Sequence, residues 1–122
     1  MRAYDSLRGR REFALVLRRG RKADAGGLTV FAFQAPRAPR RCKVGFILTK
    51  KVGNAVERNR FRRRCKCIFD QADTGERGHW YVVHATPPAI GLRFAPLRAA
   101  LLSAVERSSK RALKTVLPSG ST

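Results

Sequence analysis

The first regular pattern of apolar positions lies near the start of the chain. Phe13, Val16 and Leu17 stand at i, i+3 and i+4, which is the spacing of one helical face. Gly20 follows the last of these positions and is a typical C-terminal stop. The pattern therefore predicts a short helix over residues 10–19.

Two runs rich in β-branched and aromatic residues follow this helix. Residues 28–33 come after a Gly26-Gly27 turn signal, and residues 42–49 come after a loop, residues 34–41, that contains two prolines and three arginines. Both runs are predicted strands, and we expect them to form an antiparallel pair across this loop. Residues 21–25 are a candidate for one further short strand.

The helical spacing returns after residue 54. Asn54 is a favourable N-cap, and Glu57 lies three residues later, where a capping box places its acid. The polar segment 73–78 ends the predicted helix. Five apolar positions within it fall on one stripe: Phe61, Cys65, Ile68, Phe69 and Ala72.

The last part of the chain supplies one more strand and one more helix. Residues 79–86 form a third strand-like run that Pro87-Pro88 closes, and Pro96 suits the start of a helix over residues 96–117. The order helix, strand, strand, helix, strand, helix predicts an α+β fold. We expect a single-domain α-β sandwich in which helices cover a small mixed sheet.

The length of the chain fits one domain over residues 1–122, since most domains hold roughly 100–150 residues. We expect residues 1–6 and 118–122 to be flexible, because chain ends order only when something ties them down.

The net charge of the chain indicates the chemical class of its binding partner. The chain carries 27 Lys or Arg but only 8 Asp or Glu, a formal net charge of +19, so a polyanion is the expected partner. Nucleic acid comes before an anionic membrane, because no predicted amphipathic helix exposes large apolar residues. The chain shows no targeting segment and no apolar run near the roughly 20 residues that span a bilayer. We therefore expect a cytoplasmic protein without membrane contact.

The three cysteines, Cys42, Cys65 and Cys67, are too few and odd in number for an extracellular disulfide scaffold. We expect reduced thiols. A zinc site with His79 or His84 is the alternative, but structural zinc sites usually show CxxC-like pairs, which this chain lacks. The sequence therefore predicts no metal site in the protein.

The second predicted helix is strongly basic on one side. Eight basic residues and a single acid lie between residues 50 and 66. A merely solvated helix face is one interpretation, but such a face would mix Glu and Lys at i, i+4, and here almost no acid compensates the arginines. Arginine forks bind phosphate oxygens in a bidentate manner, so the pattern favours nucleic-acid binding. The polar positions opposite the apolar stripe are Asn59, Arg60, Arg63 and Lys66.

Residues 50–60 carry the most specific signal in the chain. They read Lys-Lys-Val-Gly-Asn-Ala-Val-Glu-Arg-Asn-Arg, with a glycine at a strand-to-helix turn and free N–H groups after Asn54 that suit a phosphate. This segment resembles the signature of the bacterial ribonuclease P protein subunit. That signature is two basic residues, an apolar residue, Gly-Asn-Ala-Val, one variable residue and Arg-Asn-Arg.

The resemblance extends beyond the motif, over residues 7–113. It includes a basic, Phe-containing helix that ends in Gly20, an aromatic-bearing strand, and a strand that ends in Thr49 before the lysines. One departure occurs at residues 82–85, where the family usually has an apolar run that ends in Ala-Arg.

The resemblance implies a ribonucleoprotein enzyme that removes the 5′ leader of precursor tRNA. In that family the RNA subunit is the catalyst, and Mg²⁺, bound mainly by the RNA, activates the attacking water. The implied partners are the ribonuclease P RNA subunit and precursor tRNA, with no protein partner required. The family fold also implies an unusual left-handed crossover around the central helix.

Two contact surfaces follow from the same resemblance. Along the second helix, the implied contacts with the RNA subunit are Asn54, Arg58, Asn59, Arg60, Arg62, Arg63, Arg64 and Lys66. A separate cleft between the first helix and an open sheet face is implied to bind the single-stranded leader. Its implied residues are Phe13, Leu17, Phe31, Thr49, Lys50 and Lys51.

No catalytic residue is predicted in the protein itself. The eight acids form no cluster in the sequence, and five positions separate His79 from His84, which places them on opposite faces of a strand. Two alternatives stay open. In the first, the chain is a purely structural RNA-binding protein such as a ribosomal component. In the second, Phe13, Phe31 and Phe33 pack in the core and do not stack on bases.

Overall fold

The computed structural model describes residues 4–35, 42–72 and 79–116. A single 3₁₀ turn, Lys50–Val52, connects a strand to the central helix. The elements in chain order are β1 (Tyr4–Ser6), α1 (Gly9–Arg19), β2 (Arg21–Ala25), β3 (Leu28–Gln34), β4 (Cys42–Ile47), α2 (Ala55–Ala72), β5 (His79–Ala85), α3 (Pro87–Ile90) and α4 (Phe94–Val116). The α+β prediction is confirmed, and each predicted helix and strand is present with similar bounds.

The five strands form one mixed sheet in the order β1-β4-β5-β3-β2. β5 is antiparallel to β3 and parallel to β4. The prediction that β3 and β4 pair with each other is therefore wrong, because β5 lies between them. β5 is buried along almost its whole length, which suits the centre of a sheet. β3 and β4 still run in opposite directions.

The N-terminus also differs from the prediction. The sequence predicts flexibility for residues 1–6, but residues 4–6 form β1, which pairs in parallel with β4. Residues 1–3 lie outside the described residues. The Tyr4 side chain is buried, with its ring centroid 6.0 Å from that of Phe69, and this packing fixes the short strand. The expected flexibility at residues 118–122 falls outside the described residues.

Two local turns are set by residue type. β2 and β3 are joined through Gly26 and Gly27, whose φ angles are 57° and 85°. A two-residue hairpin turn with positive φ at both positions strongly favours glycine there. The Pro87-Pro88 pair does more than close β5, because it begins the short helix α3, and prolines fit a first helical turn.

The sheet packs helices on both faces. On one face, buried residues of β3 and β5 meet the apolar sides of α2 and α4 in the main core. On the other face, α1 packs Val16 against Val82, with Phe13, Phe31 and Phe33 partly buried around them. Because side chains alternate along a strand, α1 and α2 lie on opposite sides of the sheet. The hand of the β4–α2–β5 crossover stays a prediction.

Candidate nucleic-acid interface

The N-terminus of α2 is closed by a reciprocal pair of hydrogen bonds. The Glu57 N–H donates to Asn54 Oδ1 at 2.8 Å, and the Asn54 N–H donates to Glu57 Oε1 at 2.9 Å. A Cβ on Gly53 would lie 2.9 Å from the same Oε1, so glycine leaves room for the carboxylate. The predicted capping box is confirmed, and it fixes where the basic helix begins.

The central part of α2 separates apolar and basic residues as its sequence predicts. Phe61, Cys65, Ile68 and Phe69 are buried against the sheet. On the other side Asn59, Arg60 and Arg63 are exposed, and Lys66 is half-buried. The salt bridges found within the described residues, Lys43–Glu12 and Lys110–Glu106, do not involve α2. The cationic face of α2 is therefore not neutralised by carboxylates of the described part of the chain.

The arginines of α2 have different local roles. Arg62 donates from Nη1 to Asn59 Oδ1 at 2.7 Å, and Arg58 reaches the Asn54 carbonyl from Nε at 3.4 Å. Arg64 is half-buried and donates from Nη1 to the Leu92 carbonyl at 2.9 Å, which ties α2 to the segment before α4. Arg60 and Arg63 are the exposed members of this set, so their guanidinium groups are the most accessible to a phosphate.

A cleft opens beside α1 on the opposite face of the sheet. One part of it has a volume of about 470 Å³. Leu17 of α1 and Phe31 and Ile47 of the sheet supply its apolar walls, while Lys22 supplies a cation. An apolar and aromatic wall beside a cation is the composition that binds single-stranded nucleic acid. The complete lining is Leu17, Lys22, Thr29, Phe31, Ile47 and His84.

A second pocket, of about 510 Å³, continues the cleft toward the edge strand β2. It shares Leu17, Lys22 and Phe31 with the first pocket and adds Gly20, Arg21 and Arg111. The Arg111 guanidinium donates to the Lys22 carbonyl, so α4 reaches around the edge of the sheet and contributes to this surface. The cleft therefore becomes more basic toward β2.

Some of the predicted cleft residues are brought together and some are not. Leu17 and Phe31 line both pockets. Phe13 lines neither, because its ring is packed between α1 and Gly45, where a Cβ would lie 2.7 Å from Phe13 Cε1. The remaining three, Thr49, Lys50 and Lys51, are exposed just beyond the end of β4 and also line neither pocket.

Sequence reasoning missed several cleft residues. Lys22 and Thr29 reach the cleft because the β2–β3 hairpin places them there, and Ile47 and His84 because β4 and β5 are neighbours. The position of His84 was predictable, because side chains alternate along a strand and His84 therefore lies on the same face of β5 as Val82. Arg111 depends on the packing of α4 against β2, which no local pattern reveals.

One ion pair fastens α1, which forms one wall of the cleft, to the sheet. Lys43 Nζ of β4 donates to Glu12 Oε2 of α1 at 3.0 Å, and the Arg8 N–H donates to Glu12 Oε1 at 2.6 Å. Partial burial acts to raise the pKa of Glu12, but the hydrogen bond from Arg8 and the interaction with Lys43 outweigh it and lower that pKa below its ordinary value. Glu12 thus closes the first turn of α1 and fastens this helix to the sheet.

Within the described residues, no group of three or more His, Cys, Asp or Glu side chains is placed to hold a metal ion. The two histidines lie on opposite faces of β5, as predicted: His79 is buried in the core beside Tyr81, and His84 lines the cleft. Over the same part of the chain, no helix is both long and apolar enough to cross a membrane.

Comparison with known proteins decides between the classes of RNA-binding protein that the sequence leaves open. The family model described as Ribonuclease P matches residues 1–109. The chain belongs to the ribonuclease P protein family. Membership in this family places the chain in tRNA processing, and it agrees with the signature at residues 50–60.

Individual members of the ribonuclease P protein family resemble the chain over most of its length. The ribonuclease P protein component of a Nitratiruptor species is 30% identical over 115 residues, which cover 91% of this chain and 98% of that protein. The ribonuclease P protein component of a Roseiflexus species is 36% identical over 113 residues, covering 88% of this chain and 87% of that protein. The solved ribonuclease P protein of Thermotoga maritima has a TM-score of 0.74 at 23% identity, covering 84% of this chain and 96% of that chain, and it shows the shared fold.

Proposed function

We propose that the chain is the protein component of a ribonuclease P holoenzyme. In this role it binds the catalytic RNA subunit through α2 and the single-stranded 5′ leader of precursor tRNA through the cleft beside α1. The reaction is the endonucleolytic removal of the leader, which gives the mature 5′ end of the tRNA. The observation that carries the proposal is the arginine face of α2, which no carboxylate of the described residues neutralises and which follows the capped motif that starts at Asn54.

The α2 surface suits a structured RNA. Arg60 and Arg63 are exposed on a helix whose other side is buried, so their positions are rigid while their guanidinium groups are free to contact phosphates. Each phosphate that a cation neutralises releases counterions, which makes the affinity depend on salt. The neighbouring contacts Arg58, Asn59, Arg62, Lys66 and Asn54 extend this surface along α2, whereas Arg64 acts mainly by holding the helix in place.

The cleft beside α1 suits a single strand. Phe31 and Leu17 offer apolar surface, and Lys22, Arg21 and Arg111 offer positive charge along the same groove. Such a groove binds bases with little sequence preference, which a leader of variable sequence requires. Thr49, Lys50 and Lys51 extend the basic surface from the end of β4.

Catalysis and metal binding belong to the RNA partner in this proposal. The described residues bring no set of carboxylate, histidine or cysteine side chains together as metal ligands. We assign Mg²⁺ mainly to the RNA, and the chemistry it would supply there is activation of the attacking water. The contribution of the protein is to bind both RNAs and to offer each of them a surface of positive charge.

Reconstitution tests the proposal. The purified chain is added to a transcribed bacterial ribonuclease P RNA at low Mg²⁺, with precursor tRNA as the substrate. We expect the chain to raise the cleavage rate and to produce no cleavage in the absence of the RNA. An unchanged rate with RNA present would contradict the proposal.

Leader dependence provides the discriminating control. Binding of the holoenzyme is compared for precursor tRNA and for the same tRNA without a leader. A protein that binds the leader favours the precursor, whereas a structural RNA-binding protein has no reason to do so. Equal affinities for the two substrates would show that the cleft does not bind the leader.

A further inference from the structure

A pocket opens on the exposed side of α2, beside the first residue of α4. Its volume is about 400 Å³, which lies within the roughly 300–1,000 Å³ typical of small-ligand sites. Phe94 forms part of its wall and is 38% exposed, although it is a large aromatic residue. The lining is Arg60, Arg63, Arg64, Cys67 and Phe94.

The chain builds this pocket from two rigid pieces. Arg60, Arg63, Arg64 and Cys67 follow the i, i+3, i+4, i+7 spacing, so they form one stripe of α2. The hydrogen bond from Arg64 to the Leu92 carbonyl fixes the segment before α4 against this stripe. One turn further on, Leu97 is fully buried in the core. Phe94 is thus held beside the arginines by an anchor on each side.

The composition of the pocket specifies its ligand. A phosphate ion alone would leave the aromatic wall without a contact, and an apolar protein segment would leave the three arginines without a negatively charged partner. A nucleotide with an unstacked base matches both, because the base stacks on an aromatic face while guanidinium groups meet its phosphate. Neither salt bridge within the described residues engages these arginines, so their charge is available.

We infer that this pocket binds one unpaired nucleotide of the RNA that α2 contacts, with the base stacked on Phe94 and the phosphate between Arg60 and Arg63. The inference rests on the proposed function and adds to it. In the proposed function α2 contacts only the phosphate backbone of the RNA. Here α2 also recognises one extruded base.

Substitutions of Phe94 test the stacking contact directly. The affinity of the full chain for a transcribed ribonuclease P RNA is measured by filter binding over a range of salt concentrations. We expect Phe94→Ala to weaken binding about 5- to 150-fold, the loss expected for stacking on one aromatic ring, with an unchanged salt slope because no cation is removed. Phe94→Leu keeps an apolar side chain but loses the flat ring, so it should also weaken binding. Phe94→Trp should preserve it.

Val56 supplies a matched control. It is 65% exposed and lies on the same side of α2, outside the pocket. We expect Val56→Ala to bind the RNA like the unsubstituted chain. Wild-type affinity for Phe94→Leu and Phe94→Ala would overturn the inference, and so would an equal loss for Val56→Ala. Urea unfolding of every variant shows that the comparison is made between folded proteins.

Cys67 gives a second measurement that needs no substitution. It is half-buried and lines the pocket, so an occupied pocket should shield its thiol. We expect saturating RNA to slow the alkylation of Cys67 by iodoacetamide about tenfold or more. An unchanged rate of alkylation at saturating RNA would mean that the pocket stays empty and would overturn the inference.

The arginine variants separate the failure of this inference from that of the proposed function. If Arg60→Ala and Arg63→Ala weaken binding and lower the salt slope while the Phe94 variants bind normally, α2 binds RNA but the stacking pocket does not exist. If none of these variants changes binding, α2 is not the RNA-binding surface, and the proposed function loses its main support.

Discussion

The carboxylate of Glu12 accepts a hydrogen bond from Lys43 Nζ at 3.0 Å and so joins the first helix to a central part of the sheet. The two residues are 31 positions apart in the sequence. Because the cleft beside α1 lies between this helix and the sheet, the pair determines how firmly one wall of the cleft is held.

The stability of the protein should depend on pH through Glu12. Its pKa is lowered in the folded state from the ordinary value of 4.5. Its contribution to stability is therefore complete above the unfolded-state pKa and is lost as the pH falls through the lower folded-state pKa. We expect Glu12→Gln to cost about 1 kcal/mol of unfolding free energy near neutral pH. Urea unfolding should show this difference shrinking below about pH 4.5. A difference that stays constant into acid would contradict the assignment.

Gly45 should tolerate no side chain. A Cβ there would lie 2.7 Å from Phe13 Cε1 and 2.9 Å from Leu7 Cδ1, so α1 would have to move away from the sheet. We expect Gly45→Ala to lower the free energy of unfolding by about 1–3 kcal/mol, as overpacking of a buried site does. Combining it with Phe13→Leu, which shortens the opposing side chain, should recover part of the loss. Additive effects in the double variant would mean that the two residues do not meet.

Arg63 and Arg64 are adjacent but should respond differently to substitution. Arg64 holds the Leu92 carbonyl, so Arg64→Ala should reduce the free energy of unfolding by about 1–2 kcal/mol. Arg63 is exposed, so Arg63→Ala should leave stability within about 0.5 kcal/mol. In RNA binding, we expect Arg63→Ala to lower the salt slope by about one. Equal effects of the two substitutions on unfolding would show that the contact with Leu92 contributes nothing.

Phe31 should matter for the substrate and not for assembly. Phe31→Ala removes an aromatic wall of the cleft, so the preference of the holoenzyme for precursor over mature tRNA should fall about 5- to 150-fold. Affinity for the RNA subunit should not change, because α2 lies on the other face of the sheet. Phe31→Tyr, which keeps the ring, is the matched control. If Phe31→Ala and Arg60→Ala gave the same pattern of losses, the separation into two surfaces would be wrong.

The three thiols should react in a fixed order. Burial raises the pKa of the Cys65 thiol well above its ordinary value, and Cys42 is also buried, whereas Cys67 is half-buried on the exposed side of α2. We expect iodoacetamide to modify Cys67 in the native protein and the other two only after unfolding. Mass spectrometry of digested samples measures this order. Native modification of Cys65 would mean that α2 opens away from the core.

Local patterns predicted the parts of the fold that depend on neighbouring residues. The capping box at Asn54, the apolar stripe of α2 and the Gly26-Gly27 turn all follow from spacing within a few positions, and the structure confirms them. The pairing of β5 between β3 and β4 depends on contacts between distant segments, which is why the sequence alone suggested the wrong pair of neighbours.

The difference between local patterns and contacts of distant segments also explains which residues of the cleft could be predicted. Leu17 and Phe31 were predicted through the resemblance, and both line it. Phe13 is on the correct helix, but its ring is packed over Gly45, a contact that exists only once α1 meets β4. Lys22 and Arg111 join the surface because α4 packs along the edge strand β2, and no short sequence pattern reports that packing.

The placement of α1 and α2 on opposite faces of one sheet has an electrostatic consequence. α2 alone has a diameter of about 10–12 Å, so its outer arginines and the basic groove beside α1 are separated by more than the screening length of about 8 Å at physiological ionic strength. A phosphate bound on one side therefore changes the potential on the other side very little. The free energies of binding at the two surfaces should add without cooperativity, as if two separate cationic proteins had been joined back to back by an insulating layer.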